Sequence, residues 1–248
     1  MLTRTLRFIL LPMLAALLAI PAIARAAAPD DDSSMHCDSD RESQSPGRAP
    51  PAFVPDSTDG NTASTFSAIR SLTSDASAPS SSSAHISICR ATVTLTPSSD
   101  GNAHLSIDLS KALPSGQLAS SLVHRFLLSD SGLHLEIKAP EGANARIHLA
   151  LPVGTATEFA LVRGDLNVLR LFGNAHIAIV KGNATLHLAD ADFATLQCAA
   201  VLGGIRDRRP GGGSHGHVLS SWTAHGTGAA NIQMSAVSGD LILLPPTS

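Results

Sequence analysis

From His85 onward, apolar and polar residues alternate with a period of two. Leu105, Ile107 and Leu109 alternate with His104, Ser106 and Asp108; Leu133, Leu135 and Ile137 with His134, Glu136 and Lys138; Ile147, Leu149 and Leu151 with Arg146, His148 and Ala150. Alternation at that period puts one side of an extended chain on a core and the other in water, so each run predicts a half-buried strand. Between the first two runs, Leu118, Leu122 and Phe126 recur at helical spacing behind Ser115, a candidate N-cap, and predict one short helix over 116–128. The Ser-Asp-Ser-Gly stretch at 129–132 then turns the chain back to strand.

A second pattern begins at Val162. An apolar residue, any residue, Gly, then Asp, Asn or Gly, then an apolar residue recurs at 162–166, 171–175, 180–184, 201–205 and 237–241, the first three copies nine residues apart. A Gly-Asp or Gly-Asn pair between strands is normally a hairpin signal. Cross-strand pairing argues against it here, because a two-residue hairpin would set Val162 against Asn167, Leu171 against His176, Val180 against Thr185 and Val201 against Arg206, apolar against polar. If the chain instead runs straight on through the Gly, Val162, Leu166 and Val168 share one inward face, as do Val180, Ala184 and Leu186, and Val237, Leu241 and Leu243. Nine is odd, so inward parity must flip once per unit at a corner, expected between Val168 and Leu171 and at Ile179-Val180. Short strands joined by regular corners and all running onward predict a coil of parallel strands, with two units, about 18 residues, per rung.

These motifs carry a resemblance. The segment from Ala145 to Leu244, with Leu151-Pro152-Val153-Gly154-Thr155, the repeated Val-x-Gly-Asp/Asn turns and a closing Val237-Ser238-Gly239-Asp240-Leu241, resembles the bacterial putative-adhesin families of small β-solenoid domains. The resemblance implies an exported all-β protein with no recognised catalytic site. The expected fold is therefore a short parallel β-solenoid, of the β-helix or β-roll kind, preceded by a few strands and one short helix. Its domain runs over 85–246, and the opening strands from His85 are expected to cap one end.

Composition separates this domain from what precedes it. Residues 27–84 are rich in Ser, Asp, Ala and Pro and short of core formers, which predicts a disordered linker, with Phe53, Phe66 and Ile69 able to dock locally. Residues 1–26 read as a secretory signal, with Arg4 and Arg7 ahead of an apolar run from Phe8 to Ile20 and Ala24-Arg25-Ala26 as the cleavage site. That run is shorter than a membrane span and is broken by Pro12 and Pro21, so no transmembrane helix is expected after cleavage. Loss of Arg4, Arg7 and Arg25 leaves 17 − 3 = 14 basic residues against 20 acidic ones. A mildly acidic chain has no electrostatic footprint for nucleic acid.

Export places Cys37, Cys89 and Cys198 where disulfides persist, and an odd number leaves at least one unpaired. Cys198 is in step with Leu196 and reads as a small buried hydrophobe. Spacing leaves open whether Cys37 and Cys89 pair.

No candidate chemistry rises to a catalytic, cofactor or metal assignment. Gly212-Gly213-Ser214-His215-Gly216 matches the nucleophile-elbow spacing, but a glycine run precedes it and no helical pattern follows. His215, His217 and His225 are imidazoles close in sequence without an adjacent thiol or carboxylate; a solvated loop is the plainer reading, and metal binding the alternative. Asp165 and Asp240 occupy the repeat position where Asn and Gly substitute, which suits a turn and not an acid or base. Asp190 and Asp192 stay open as carboxylates of a polysaccharide-active enzyme. Arg163-Gly164-Asp165 lies within the repeat, which makes its match to an integrin-type tripeptide a coincidence. Sugar stacking has little to work with, since the chain has no Tyr and only Trp222.

The expected function is a non-enzymatic exported envelope or surface protein, an adhesion or interaction scaffold whose partner is an unidentified surface or envelope component. Open strand edges at the coil ends would allow self-association. A secreted or periplasmic polysaccharide-active enzyme, and a metal-binding envelope protein using the Gly/His loop, are the competing classes.

Overall fold

The structure is a computed structural model that describes residues 65–71, 83–109, 119–129, 132–140, 142–170 and 173–247; the segment read as a secretory signal and most of that read as linker lie outside them. Strands dominate: β1 (Thr65–Ser71), β2 (Ser83–Arg90), β3 (Thr92–Ser98), β4 (Asn102–Leu109), β5 (Val123–Ser129), β6 (Gly132–Ile137), β7 (Ala145–Pro152), β8 (Ala156–Arg163), β9 (Leu166–Val168), β10 (Ala175–Lys181), β11 (Ala184–His187), β12 (Phe193–Leu202), β13 (Ile205–Asp207), β14 (Ser214–His215), β15 (Val218–His225), β16 (Ala230–Ser238) and β17 (Leu241–Leu244). They form two sheets, ordered β1-β4-β7-β3-β9-β11-β17-β13-β14 and β15-β12-β16-β10-β8-β2-β6-β5. Among the described residues no helix is long and apolar enough to cross a membrane.

Each rung is one strand of the second sheet joined at a corner to one strand of the first. The stack reads β6/β7, β2/β3, β8/β9, β10/β11, β16/β17, β12/β13, all rungs parallel to their neighbours. Thr157 lies beside Ala175 and Leu166 beside Ala184, so those two rungs are 18 residues apart, two repeat units as expected. Between the sheets, Ile86, Phe159, Ile177, Leu196 and Ile232 of one meet Leu149, Val168, Leu186 and Leu243 of the other, all almost fully buried. Such burial contributes about 1.5–3 kcal/mol for each large apolar side chain.

The winding differs from a simple coil. The C-terminal rung β16/β17 is inserted between β10/β11 and β12/β13, and β6/β7 packs outside the earlier β2/β3. Of the opening strands from His85, β2 and β3 therefore lie within the stack, while β4 and β5 cap one end of it as expected. The caps are antiparallel: β4 on β7, β1 on β4 and β5 on β6 at one end, β15 on β12 and β14 on β13 at the other. Each covers strand N–H and C=O groups that a plain coil would leave unpaired at its end.

Two local expectations change with it. In place of a helix over 116–128, Ala119–Leu122 forms a 3-10 turn and Val123–Ser129 a strand, while 110–118 lie outside the described residues. Leu122 and Phe126 are both buried, as the spacing implied, but Phe126 gets there by pairing opposite Leu135. The open edge of β6 outweighs a short stretch of helical periodicity. Thr65–Ser71, inside the segment read as linker, pairs along its whole length with β4.

The repeated glycines stand where the chain passes from one sheet to the other, never at the tip of a reversing hairpin. Gly164, Gly182, Gly239 and Gly203 stack in a column above Ala91, each at φ between +134 and +151, and a Cβ on any of them would overlap the carbonyl oxygen of the rung beside it. Only glycine tolerates both that dihedral and that approach. The next residue makes a ladder: the Asn183 N–H donates to Asp165 Oδ1 at 2.9 Å, the Asp240 N–H to Asn183 Oδ1 at 2.9 Å, and the Gly204 N–H to Asp240 Oδ1 at 2.8 Å. Asp and Asn interchange because both supply the accepting oxygen, and their alternation keeps carboxylates out of adjacent rungs.

The corner also corrects the inward set. Leu166, Val168, Ala184, Leu186, Leu241 and Leu243 point inward as expected, but their partners across the Gly are Leu161, Ile179 and Ala236. Val162, Val180 and Val237 face outward. The parity flip occurs at the left-handed glycine itself, which reorients the chain by one residue as it changes sheets.

Candidate functional site

Those outward valines build the most distinctive surface of the protein. The flanking pairs Leu161–Ile179 and Arg163–Lys181 set Val162 beside Val180, and the same register places Val237, Val201 and Leu219 next in line on β16, β12 and β15. Val180, Val237 and Val201 are 48, 49 and 44% exposed and Leu219 63%. Strand spacing makes this an apolar row about 20 Å long running across the rungs.

Four residues earlier along each strand, a polar row runs parallel to it: His134, His85, Glu158, His176, Gln233, Gln197. His85 stacks on His134 with centroids 5.0 Å apart and its Nδ1 lies 2.8 Å from Glu158 Oε2. Burial, then the neighbouring His85, holds His134 below the ordinary histidine value. Between the two rows lie Ser87, Ala160, Ala178, Ser235 and Ala199, all small, with Glu136 beside Ser87 at the β6 end. The outer face of the second sheet is thus a trough with a floor of Ala and Ser, one polar wall and one apolar wall, the walls about 13 Å apart along the strand. The outer face of the first sheet is different: Thr94, Asn167 and Thr185 line up there.

Cys89 continues the valine row on β2. It is buried and disulfide-bonded, whereas Cys198 is free; Cys37, the candidate partner of Cys89, lies outside the described residues. Cys198 is buried as expected, and burial pushes its thiol up to about 12 against the opposing pull of the Arg209 charge.

Asp190 and His215, both singled out from the sequence, gather with Asp207 around Arg209, a residue that no motif marked. Its Nε donates to Asp207 Oδ1 at 2.9 Å, one terminal nitrogen to Asp207 Oδ2 at 2.8 Å and the other to Asp190 Oδ1 at 2.9 Å. The guanidinium lies 5.2 Å from the Phe193 ring centre and 6.0 Å from that of Trp222, on which His215 stacks at 5.0 Å. Asp207 is buried at an inward position of the terminal rung. Burial alone would raise its carboxyl, but the hydrogen bonds and charge of Arg209, with His215 behind them, hold it below the usual range. This arrangement fits a clamp on the terminal rung.

Asp192 is nearly covered as well, its Oδ2 accepting from the Ala189 N–H at 2.7 Å, with Arg170 3.8 Å from Oδ1. Both carboxylates considered for hydrolysis therefore hold the chain at β11–β12. His217 immediately precedes β15 and His225 ends it, which sets them about 26 Å apart along an extended strand. Among the described residues no three His, Cys, Asp or Glu converge as a metal site. Ser214 lies in the two-residue strand β14 opposite Arg206, with no helix following it. Asp165 and Asp240 are turn-ladder acceptors, as the interchange with Asn implied. The sequence pattern hides the trough because it assigns the valines inward; their spacing is visible in it, their parity is not.

No protein-family model matches the sequence, and no curated protein matches it. Among solved structures, the chain is similar to a putative cell adhesion protein from Clostridium sporogenes, at 9% identity and a TM-score of 0.46, covering 73% of this chain and 99% of that one. It is also similar to a putative adhesin from Parabacteroides merdae, at 10% identity and a TM-score of 0.21, covering 75% and 97%.

Proposed function

We propose that this chain is a non-enzymatic, exported envelope or surface protein that uses the trough of its second sheet as an adhesion or interaction face. The observation that carries the reading is the valine row. A half-exposed apolar residue repeated on successive rungs at one register is costly to leave in water, and contiguous apolar surface of this kind marks interaction sites. The strand register beneath it fixes the spacing of the row, and the polar wall opposite supplies donors and acceptors.

The test displays the chain on a non-adherent bacterial host and measures retention on abiotic surfaces and on neighbouring cells. Val180→Glu/Val237→Glu should reduce retention at least tenfold while unfolding midpoints stay within the range of ordinary surface substitutions, about ±0.5 kcal/mol. Equal retention by the double variant would count against the trough. Turnover of an acidic polysaccharide that Asp192→Asn abolishes would end the non-enzymatic reading.

A further inference from the structure

The capping strands have outer edges of their own. Among the described residues, β15 ends the second sheet and pairs with β12 alone. Just past its end the Gly226 N–H bonds to the Ala194 carbonyl, in the same register that sets His225 beside Thr195. Antiparallel bonding alternates along a strand, so Trp222 and Ala224 turn their backbone groups to β12, and Ser221, Thr223 and His225 turn theirs to the open side. An unpaired row of N–H and C=O groups is a template for one more strand.

Edges that stay single are protected by charge, by proline or by a bulge that twists them away. β15 contains no Lys, Arg, Asp, Glu or Pro, whereas β5, at the opposite end of the same sheet, presents exposed His124 and Arg125. Its margin is apolar instead. Val218 and Leu219 are each 63% exposed, and Leu202, directly opposite Val218 on β12, 57%. They exceed the valines deeper in the row because the open edge gives β15 a neighbouring strand on one side only. Leu219 is held at φ +50, a conformation few residues other than glycine, Asn and Asp adopt.

We propose that β15 is a self-association edge, pairing antiparallel with β15 of a second copy of this chain about a two-fold axis. Charge selects that occupant. Like charges opposite each other destabilise a sheet, and two copies of this strand bring none together, since His225, its one titratable residue, stands at its end. Each copy offers the other the same donors and acceptors, as an isologous contact requires. An axis along the sheet normal reverses strand direction and preserves the face, so the second sheet runs on from copy to copy with both troughs on one side. An eight-residue strand is about 27 Å long, which makes this a small interface and the dimer a micromolar one. The pairing stands or falls independently of what the trough binds.

Sedimentation equilibrium of the full chain from about 1 μM to about 500 μM, with amide hydrogen exchange at both limits, tests the assignment. The mass should rise to that of a dimer while the Ser221, Thr223 and His225 amides gain protection. Thr223→Pro removes an N–H on the open side and leaves the β12 ladder intact, so it should weaken the dimer roughly tenfold or more with the unfolding midpoint retained. Thr223→Ala keeps that N–H and should dimerise as wild type does. Val218→Lys, which adds charge to the margin without altering the backbone, should also weaken the dimer and serves if the proline variant fails to fold. A monomer over the whole range, a dimer whose edge amides stay unprotected, or a dimer unchanged in Val218→Lys and in folded Thr223→Pro would overturn the proposal. Loss of the dimer in Val180→Glu/Val237→Glu with none in Thr223→Pro would move the contact to the trough and overturn it as well.

Discussion

Replacing Gly182 with alanine strikes the corner column at its centre. The residue stands at φ +139, and a Cβ there would overlap the carbonyl oxygen of Gly164. Holding a non-glycine residue at such a dihedral costs about 1–3 kcal/mol. The overlap can be relieved only by pushing the rungs apart. That movement strains the Gly164 N–H bond to the Lys181 carbonyl and the Gly182 N–H bond to the Ser238 carbonyl, both 2.9 Å and worth about 1 kcal/mol each. The expected loss is roughly 3–5 kcal/mol, a large part of an ordinary domain stability. Denaturant unfolding should show the midpoint falling with the slope unchanged, and thermal unfolding a drop of roughly 10 °C or more. Gly213→Ala is the control, since a Cβ there meets nothing within 4 Å and no left-handed φ is required; it should be neutral or slightly stabilising. A cost for Gly182→Ala no greater than that of the control would refute the corner argument.

Asp207→Asn should cost about 3–5 kcal/mol at neutral pH, because the Arg209 guanidinium would lose its buried charged partner and keep only the exposed Asp190. The Asp207 carboxyl lies below its ordinary value in the folded protein, so its contribution is present above the unfolded value near 4 and is lost as pH falls through the folded one. Unfolding curves at neutral pH and at about pH 3 should therefore show the gap between wild type and Asp207→Asn narrowing in acid; a constant gap would refute it. At the ladder, Asp165→Asn should change stability by less than about 0.5 kcal/mol and Asp165→Ala should cost about 1 kcal/mol, since only alanine removes the acceptor of the Asn183 N–H. Chemical denaturation of the pair measures the difference.

What could be read from residues alone was whatever depends on near neighbours in the chain. Period-two alternation marked β4, β6 and β7, and the failure of hairpin pairing around each Gly identified parallel strands passing through corners with an 18-residue rung. The exchange of Asp, Asn and Gly after that glycine showed a structural position, and the ladder explains it. Tertiary structure decided the rest. Whether Val180 or Ile179 faces the core depends on a glycine dihedral that composition does not encode, and that single choice moved the candidate binding face from the interior to the surface. Rung order was equally hidden, because inserting β16/β17 between two earlier rungs costs only loop entropy, which grows slowly with length, while capping both ends satisfies whole rows of backbone groups. The Arg209 clamp joins Arg209 to Asp190, and strand pairing sets Arg90 beside Arg163, residues far apart in the chain. Their meeting depended on the register of stacked strands and left no local mark.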